Sequence, residues 1–297
     1  MGAQILDGKI TAAAIRAEIA REVSGLSGRK PGLGVILVGD NPASLSYVKG
    51  KEKACEEAGM TSREIRLPAD ASREDVVGAV ESLNAAPEID GILVQLPLPG
   101  HLNESEILAR IAPDKDVDGL HVQSLGALLK GEPTYIPCTP YGVAMMLSHN
   151  GISVSGKHVV IVGRSTLVGK SLANLLLRKG DGGDATVTVC HSRTPDLRVH
   201  TRQADILVAA IGRPNTITSD MVSPGTVVID VGVNRVDDAS KKRGYRLVGD
   251  VDYEAVSGIA SAITPVPGGV GPMTITMLLK NTLEAAKIHM KQEGRAH

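Results

Sequence analysis

The chain has 297 residues, of which 42% are hydrophobic and 22% charged, and its formal net charge is -1. These values predict a soluble globular protein long enough for two domains. They exclude the strongly basic surface with which proteins bind nucleic acid or acidic membranes. No apolar run reaches the roughly 20 residues of a membrane-spanning helix, and polar residues interrupt the first apolar positions, so no signal peptide is expected. The three scattered cysteines are typical of free thiols in the cytoplasm.

The first element with chemical content is a predicted helix over Ser44–Gly59, SLSYVKGKEKACEEAG. On a helical wheel, four of its charged residues share one side: Lys49, Lys53, Glu56 and Glu57. Lys51 instead falls within the opposite, weakly polar arc, one turn after Tyr47. A lysine drawn into a partly apolar cleft loses hydration, so its pKa falls and it can act as a general acid or base. On an isolated helix, a lysine whose stem passes small residues to reach water is the simpler interpretation.

Short apolar runs alternate with helical patterns along the rest of the chain. The predicted strands are Leu33–Gly39, Arg63–Leu67, Asp90–Pro99, Lys157–Gly163, Ala185–Cys190, Ala204–Gly212 and Gly225–Gly232. Nearly continuous apolar strands separated by helices predict an α/β fold with parallel sheets covered on both faces.

A break in this pattern after Tyr135–Pro140 predicts the domain boundary, with a helix over Tyr141–His149 bridging the halves. The last long helix, from about Pro272 to Gln292, is expected to pack back on the first domain. The predicted domains are therefore residues 1–140 plus 272–297, and residues 141–271.

The second half begins with a strand, a glycine turn and a helix, VVIVGRSTLVGKSLANLLL, the arrangement in which dinucleotide-binding folds hold a pyrophosphate. Gly163 and Gly169 are spaced more widely than in G-x-G-x-x-G, so a plain strand–helix corner is the alternative. The next strand ends in CHSRT, without the acidic residue that binds a ribose 2′-hydroxyl. Arg193, with Arg164 on the neighbouring turn, favours a 2′-phosphate and hence NADP over NAD, unless both guanidinium groups are simply solvated.

A proline- and glycine-rich string, TPVPGGVGPMT (Thr264–Thr274), precedes the last helix. Its composition predicts a rigid loop, neither helix nor central strand, whose bare backbone can approach a ligand closely. A tight connector between domains is the alternative for any one of its residues.

Taken together, these strings resemble the bifunctional methylenetetrahydrofolate dehydrogenase/methenyltetrahydrofolate cyclohydrolase family, in the family's order and over nearly the whole chain. The strings that carry the resemblance are NPASLSYVKGK, DGILVQLPLP, PDKDVDG, PCTP, VVIVGRSTLVGK, CHSRT, VIDVGVN and TPVPGGVGPMT. The resemblance implies two α/β domains flanking a cleft, the second a Rossmann-like NADP-binding domain, in a cytoplasmic homodimer. It implies NADP-dependent oxidation of methylenetetrahydrofolate and hydrolysis of the methenyl product to formyltetrahydrofolate.

The resemblance also implies roles for particular residues. Tyr47 and Lys51 match the family's catalytic Tyr-x-x-x-Lys, and Gln95 matches the glutamine that tunes the lysine. Of the three aspartates in PDKDVDG, the chemistry of a carboxylate on a pterin does not choose one; the family string selects Asp118 over Asp114 and Asp116. The remaining implied substrate positions are Val94, Leu96, Pro267, Gly268, Gly269, Val270, Gly271 and Pro272, and the cofactor positions are Gly163, Arg164, Ser165, Ser192, Arg193 and Val233.

Two departures from the family pattern lie around the cofactor domain: Ser171 where a proline is common, and a longer loop at Arg178–Asp184. No metal is expected, because the histidines lack paired ligand spacing and the reaction needs no Lewis acid. Two other functions stay open. One is a dehydrogenase without cyclohydrolase activity, and the other is a non-catalytic NADP-binding sensor, which the presence of Tyr47, Lys51, Gln95 and Asp118 disfavours.

Overall fold

A computed structural model gives the fold and describes residues 2–241 and 244–293. The strands, in chain order, are β1 (Gln4–Ile5), β2 (Gly32–Val38), β3 (Thr61–Leu67), β4 (Gly91–Val94), β5 (His158–Val162), β6 (Thr186–Cys190), β7 (Ile206–Ala209), β8 (Val227–Asp230), β9 (Asn234–Asp237), β10 (Tyr245–Val248) and β11 (Ala262–Ile263). The helices are α1 (Gly8–Ser24), α2 (Pro42–Glu57), α3 (Arg73–Ala85), α4 (Glu104–Leu108), α5 (Val122–Lys130), α6 (Cys138–His149), α7 (Ser171–Leu177), α8 (Leu197–Thr201), α9 (Tyr253–Val256) and α10 (Val270–Glu293). None of the helices in these two ranges has the length and apolar character needed to cross a bilayer.

The chain divides into two compact units. The six-strand unit comprises the residues up to Ala12 and Thr139–Thr274, and the three-strand unit comprises Ala13–Cys138 and the residues from Ile275 onward. The sequence had assigned the first twelve residues to the other half of the chain. They group with the six-strand unit because β1 pairs in parallel with β11, Gln4 opposite Ala262. Residue 1 and residues 294–297, the outer ends of the predicted first domain, lie outside the described residues.

The larger sheet is a parallel, doubly wound sheet, with strand order β1-β11-β8-β7-β5-β6. From β5 the chain goes first to one neighbour, β6, and then to the other, β7, so the strand order reverses between β5 and β7. In open α/β sheets such a reversal leaves a crevice at the carboxyl ends of the strands, where ligands bind. The predicted α/β class and the Rossmann-like character of this sheet are confirmed.

The three-strand unit has a parallel sheet of order β3-β2-β4. All seven residues of β2 and all four of β4 are buried, whereas β3 forms a largely exposed edge rich in charged residues. The core beneath this sheet is made of aliphatic side chains from the strands, α3 and α4. β4 pairs with the central strand β2 and ends directly before Gln95.

Some predicted limits are wrong, for physical reasons. The strand predicted over Asp90–Pro99 ends at Val94, because the chain turns into a segment with prolines at 97 and 99. The string Thr264–Thr274 is a loop only in its first half, since α10 begins at Val270. Pro272 is tolerated there because the first turn of a helix has no use for its missing N–H. The antiparallel hairpin β9–β10 was not predicted.

Candidate active site and cofactor site

Helix α2 buries Lys51 in the three-strand unit. The side chain keeps only 7% of its exposure, and its Nζ donates a hydrogen bond of 2.8 Å to Oε1 of Gln95. Gln95 is held by its own backbone and side-chain amides, which donate to the carbonyls of Ile36 and Leu96. Because Nε2 is engaged with Leu96, the amide presents its oxygen to the lysine. The partner of the buried amine is therefore neutral.

Burial shifts the pKa values of Lys51 and of the groups around it. Burial lowers the pKa of Lys51, and the nearby Asp118 opposes that shift. Burial likewise raises the pKa of Asp118, with Lys51 and a hydrogen bond from Cys138 acting in the other direction. The Cys138 thiol has a raised pKa for the same reason and stays protonated. The expected fall in the pKa of the inward lysine is thus present, together with an acidic neighbour.

The three aspartates of PDKDVDG have different surroundings. Asp114 is exposed, and its carboxylate lies 3.4 Å from His289. Asp116 is almost fully buried and accepts hydrogen bonds from the N–H groups of Leu120 and His121 and from the Ser124 hydroxyl. Asp118 is half-buried, and the hydrogen bond found for its carboxylate comes from Cys138. Asp116 is therefore committed to holding its own turn, whereas Asp118 keeps acceptor capacity for a ligand.

Two residues without an assigned role from the sequence hold the backbone beside Asp118. Asn281 of α10 donates from Nδ2 to the carbonyls of Val117 and Ile136, at 2.8 and 2.9 Å. The Cys138 thiol also lies 3.4 Å from the Val117 carbonyl. Cys138 lies in the string PCTP, which is part of the family resemblance, but the resemblance implies no role for this residue. No sequence signal identified Asn281, because its partners are more than 140 positions away.

The remaining substrate positions of this unit differ in exposure. Tyr47, one helical turn before Lys51, falls in the same weakly polar arc of the helical wheel, yet it is 46% exposed. It lies in the early turns of α2, where the ring is open to solvent and able to meet a ligand. Val94 is buried in the sheet, and Leu96 packs partly against the core. These two residues fix the segment that carries Gln95.

The glycine turn after β5 lies at the strand-order reversal of the six-strand unit. Gly163 has φ 141°, and a Cβ there would lie 2.1 Å from the carbonyl oxygen of Ala210, which follows β7. A Cβ at Gly169 would lie 2.0 Å from the carbonyl oxygen of Gly163. Neither position has room for a side chain, so the turn exposes bare backbone in the crevice. This cradle fits a dinucleotide.

Of the polar positions predicted around the cofactor, Arg164 and Ser165 belong to this turn, and Ser192 and Arg193 follow β6, the strand that pairs with β5. Ser165 accepts a hydrogen bond from the Val168 N–H and so caps the wide turn Thr166–Lys170. Four of these side chains are exposed: Arg164, Ser165, Ser192 and Arg193. Val233 is 48% exposed although it is apolar. Exposed guanidinium groups at this edge fit an anionic ligand.

The loop predicted on the substrate side lies in the six-strand unit and packs against the start of α1. The N–H of Gly8 donates to the carbonyl of Gly268 at 2.9 Å, and a Cβ at Gly8 would lie 1.7 Å from the carbonyl oxygen of Gly269. Gly269 and Val270 are followed directly by Gly271 and Pro272 in the first turn of α10. The sequence did not single out Gly8, whose lack of a side chain permits this contact.

The two departures from the family pattern have local explanations. Ser171 is buried, and its hydroxyl donates to the carbonyl of Thr166 at 2.5 Å, which closes the wide turn. The loop Arg178–Asp184 closes on itself, since the N–H of Asp184 donates to the carbonyl of Arg178 and its carboxylate accepts from the N–H of Gly180. Both features lie in the six-strand unit, whereas Lys51 lies in the three-strand unit.

A doubly wound sheet with a glycine turn at its crevice, in a chain that also buries a lysine beside a carboxylate, defines the class of dinucleotide-dependent α/β enzymes. Two family models match the chain: the catalytic domain of tetrahydrofolate dehydrogenase/cyclohydrolase over residues 6–118, and the NAD(P)-binding domain of the same family over residues 137–290. The chain belongs to the tetrahydrofolate dehydrogenase/cyclohydrolase family.

Known relatives are similar over almost their whole length. Bifunctional protein FolD 1 of Myxococcus xanthus is 56% identical over 288 residues, which are 96% of this chain and 98% of that protein. The bifunctional FolD methylenetetrahydrofolate dehydrogenase/cyclohydrolase of Campylobacter jejuni has a crystal structure that is 46% identical, with TM-score 0.90 and coverage of 96% and 99%. The corresponding Trypanosoma brucei enzyme, solved with NADP cofactor and an inhibitor, is 40% identical, with TM-score 0.92 and coverage of 97% and 98%.

Proposed function

We propose that this protein oxidises 5,10-methylenetetrahydrofolate with NADP and hydrolyses the resulting 5,10-methenyltetrahydrofolate to 10-formyltetrahydrofolate. The observation that carries the proposal is the buried Lys51 amine, bonded to the neutral Gln95 and placed near Asp118, in a member of this family. Dehydrogenation by itself needs no such amine, whereas hydrolysis of the methenyl bridge requires a proton to be moved.

In the hydrolytic step, Lys51 acts as the proton carrier. The lowered pKa lets a share of the amine be neutral at working pH. The neutral amine accepts a proton as water adds to the methenyl carbon, and it returns a proton to N5 as the N5–carbon bond breaks. The hydrolysis consumes one water and releases one proton. Gln95 keeps the amine in place without adding a charge that would restore its ordinary pKa.

Folate binding is assigned to Asp118 and Tyr47. One ionised carboxylate can accept two N–H bonds from the amino-pyrimidine edge of a pterin, and Asp118 has the acceptor capacity that Asp116 lacks. The exposed Tyr47 ring offers a flat surface for an aromatic ligand, and its hydroxyl is available to water. Val94, Leu96 and the Pro267–Pro272 segment complete the proposed substrate residues.

The cofactor residues bind and orient NADP. When bound, NADP accepts the hydride that leaves the methylene carbon. Gly163 lets the dinucleotide approach the backbone. Arg164 and Arg193, with Ser165 and Ser192, supply donors for a 2′-phosphate, and Val233 supplies apolar surface. The six-strand unit accordingly carries the proposed cofactor residues together with the Pro267–Pro272 segment, and the three-strand unit carries Tyr47, Lys51, Gln95 and Asp118.

Two further properties belong to this proposal. The family resemblance supports a homodimer, for which size-exclusion chromatography with light scattering is the direct measurement. A cytoplasmic location is supported by three thiols that are all buried and unpaired.

The test is an assay with methylenetetrahydrofolate and NADP that follows NADPH and methenyltetrahydrofolate separately. The expected result is NADPH formation with little lasting methenyl product. NADPH formation with stoichiometric methenyl accumulation would establish a dehydrogenase without cyclohydrolase activity. NADP binding without turnover of either folate would establish a sensor.

A further inference from the structure

Two buried aspartates of the six-strand unit have no role in the site described above. Asp230 is the last residue of β8 and is 3% exposed, and Asp250, two residues after β10, is 0% exposed. Burying a carboxylate is costly unless it is fully hydrogen-bonded. The donors that satisfy these two carboxylates therefore indicate what they hold.

Asp250 gathers a complete set of donors from a single loop and one side chain. Its oxygens accept from the consecutive N–H groups of Ile211, Gly212 and Arg213, at 2.6, 2.9 and 3.0 Å. A fourth hydrogen bond of 2.8 Å comes from Nδ2 of Asn234. Successive backbone N–H groups that converge on one point form an anion-binding nest. Here the protein's own carboxylate fills the nest and holds the backbone of the loop.

The loop that Asp250 holds lies at the strand-order reversal. It follows β7 directly, and Ala210, just before it, is the residue whose carbonyl excludes a side chain at Gly163. The N–H of Ala210 also donates to the carbonyl of Val162, the last residue of β5. A displacement of residues 211–213 therefore moves one wall of the crevice beside the glycine turn.

Asp230 fixes the chain that follows β8, the strand next to β7 in the sheet. It accepts from the N–H groups of Gly232, Asp250 and Val251, at 2.9, 3.0 and 2.9 Å. Val233 is thereby held between two anchors, because Gly232 binds Asp230 and Asn234 binds Asp250. The exposed apolar side chain of Val233 is kept in place by buried carboxylates on both sides.

The packing at these anchors has no spare space. A Cβ at Gly232 would lie 2.2 Å from Oδ1 of Asp250, and a Cβ at Gly249 would lie 1.8 Å from Oδ2 of Asp230. A side chain at Gly232 or Gly249 would therefore collide with one of the buried carboxylates. Each aspartate therefore packs directly against one of the two glycines.

We propose that Asp250 is a positioning residue for the dinucleotide: it holds the loop 211–213 and, through Asn234, Val233, so that the crevice is preformed for the cofactor. This rests on the proposed function, because it takes NADP as the ligand. Asp230 holds Asp250 in turn, because it accepts a hydrogen bond from the Asp250 N–H. Among the described residues, the hydrogen bonds found for the two carboxylates come from residues 211–213, 232, 234, 250 and 251, which lie in the same unit as the proposed cofactor residues. The effect of Asp250 is therefore expected on cofactor binding.

The experiment uses full-length Asp250→Asn, which keeps the shape but turns an NH₂ group toward donors of the nest. Kd for NADP is measured by calorimetry, KM for NADP in the dehydrogenase assay, and kcat and KM for methenyltetrahydrofolate hydrolysis without cofactor. The expected result is a rise of about tenfold or more in Kd and KM for NADP, with cyclohydrolase constants within about twofold of wild type. The matched control is Asp252→Asn, which keeps an equally good N-cap on α9 and is expected to match wild type throughout.

Unchanged NADP affinity in Asp250→Asn overturns the assignment, and so does an equal loss of cyclohydrolase activity, which would indicate general damage. If Asp250→Asn does not fold, Asn234→Ala decides the question, because it removes one of the four donors. A two- to threefold rise in KM for NADP supports the assignment, and no change overturns it. A wild-type protein that lacks NADP binding or folate turnover would instead refute the proposed function, before any variant is compared.

Discussion

The surroundings of Lys51 and the Asp230–Asp250 cluster both bury charged groups, but the hydrogen bonds that satisfy those groups differ in number. Asp250 has four hydrogen-bond donors and Asp230 has three, all from the protein. Lys51 has one hydrogen-bonded partner recorded among the described residues, Gln95, and Asp118 has the Cys138 thiol. A saturated buried charge holds structure, whereas an unsaturated one keeps capacity for a ligand or a proton.

The same distinction separates two residues that are neighbours in the sequence. Asp116 and Asp118 lie in one turn, yet Asp116 accepts three hydrogen bonds from the protein and Asp118 faces Lys51 and Cys138. Burial raises the pKa of both carboxyl groups, to about 6 for Asp116. A raised pKa therefore does not distinguish the two carboxyl groups, whereas their hydrogen-bond partners do.

The largest effect is expected for Lys51→Met, which removes the proposed proton carrier and keeps the length of the side chain. Cyclohydrolase activity should fall about 10²–10⁴-fold, the usual contribution of a positioned acid or base. Some dehydrogenase activity should survive, because hydride transfer depends on orientation, and methenyltetrahydrofolate should accumulate. Both rates are measured on the same purified protein.

Lys51→Arg is the matched control for charge. It should not restore hydrolysis, since a guanidinium stays protonated at any working pH. The urea midpoint of Lys51→Met should not fall, because an apolar side chain replaces a poorly satisfied buried amine. Near-wild-type cyclohydrolase activity in Lys51→Met would make the lysine a structural residue. The contrast between a structural aspartate cluster and a catalytic lysine would then fail.

The pair Asp118→Asn and Asp116→Asn tests the comparison within one turn. Asp118→Asn places a donor against the donors of the pterin, so KM for folate should rise about tenfold or more in both reactions while stability is unchanged. Asp116→Asn should lower the free energy of unfolding by about 1–3 kcal/mol, because a buried donor loses its acceptor. Kinetics and urea unfolding of both variants decide the matter. The reverse pattern would mean that Asp116 is the folate ligand.

A smaller effect is expected for Arg164→Ala, which concerns an exposed charge. A charge-assisted hydrogen bond to a 2′-phosphate contributes about 1.5–3 kcal/mol, and solvent exposure favours the lower value, so KM for NADP should rise about tenfold. Any activity with NAD should be nearly unchanged, because NAD lacks that phosphate. Equal losses with the two cofactors would contradict the assignment of Arg164 to the 2′-phosphate.

Much of the fold could be predicted from the sequence, because buried parallel strands are continuous apolar runs with helices between them. The two-residue strands β1 and β11 were missed, since they are too short to show a period, and β1 joins a sheet whose other strands come after residue 157. The start of α10 was misplaced because prolines and glycines predict a loop, although the first helical turn tolerates them.

The site divides in the same way. The burial of Lys51 could be predicted from its place on the wheel. The family strings selected Gln95 and Asp118, which the fold brings near Lys51, and the roles of all three residues stay predictions. The saturation of Asp116 could not, because its donors are a side chain and amides whose direction only the folded turn defines. The roles of Asn281 and Asp250 depend on partners distant in sequence, which no local pattern reveals.

The smallest expected effect is the pH dependence that Asp230 gives to stability. Burial, with Asp250 as a charged neighbour, raises its pKa to about 6. The folded protein therefore holds a proton that the unfolded chain, with a pKa of about 3.9, has already released, and the stability contributed by this group falls as pH rises between about 4 and 6. From pH 5 to pH 7 this loss amounts to about 1 kcal/mol. Asp230→Asn cannot titrate, so the difference in unfolding free energy between wild type and variant should shrink by that amount over this interval in urea titrations at both pH values. Asp252→Asn serves as the control for a half-buried carboxylate at a helix N-terminus. If the unfolding free energies of wild type and Asp230→Asn changed with pH in parallel, the Asp230 carboxyl group would be ionised over the whole interval. Its three N–H donors would then outweigh the effect of burial on its pKa.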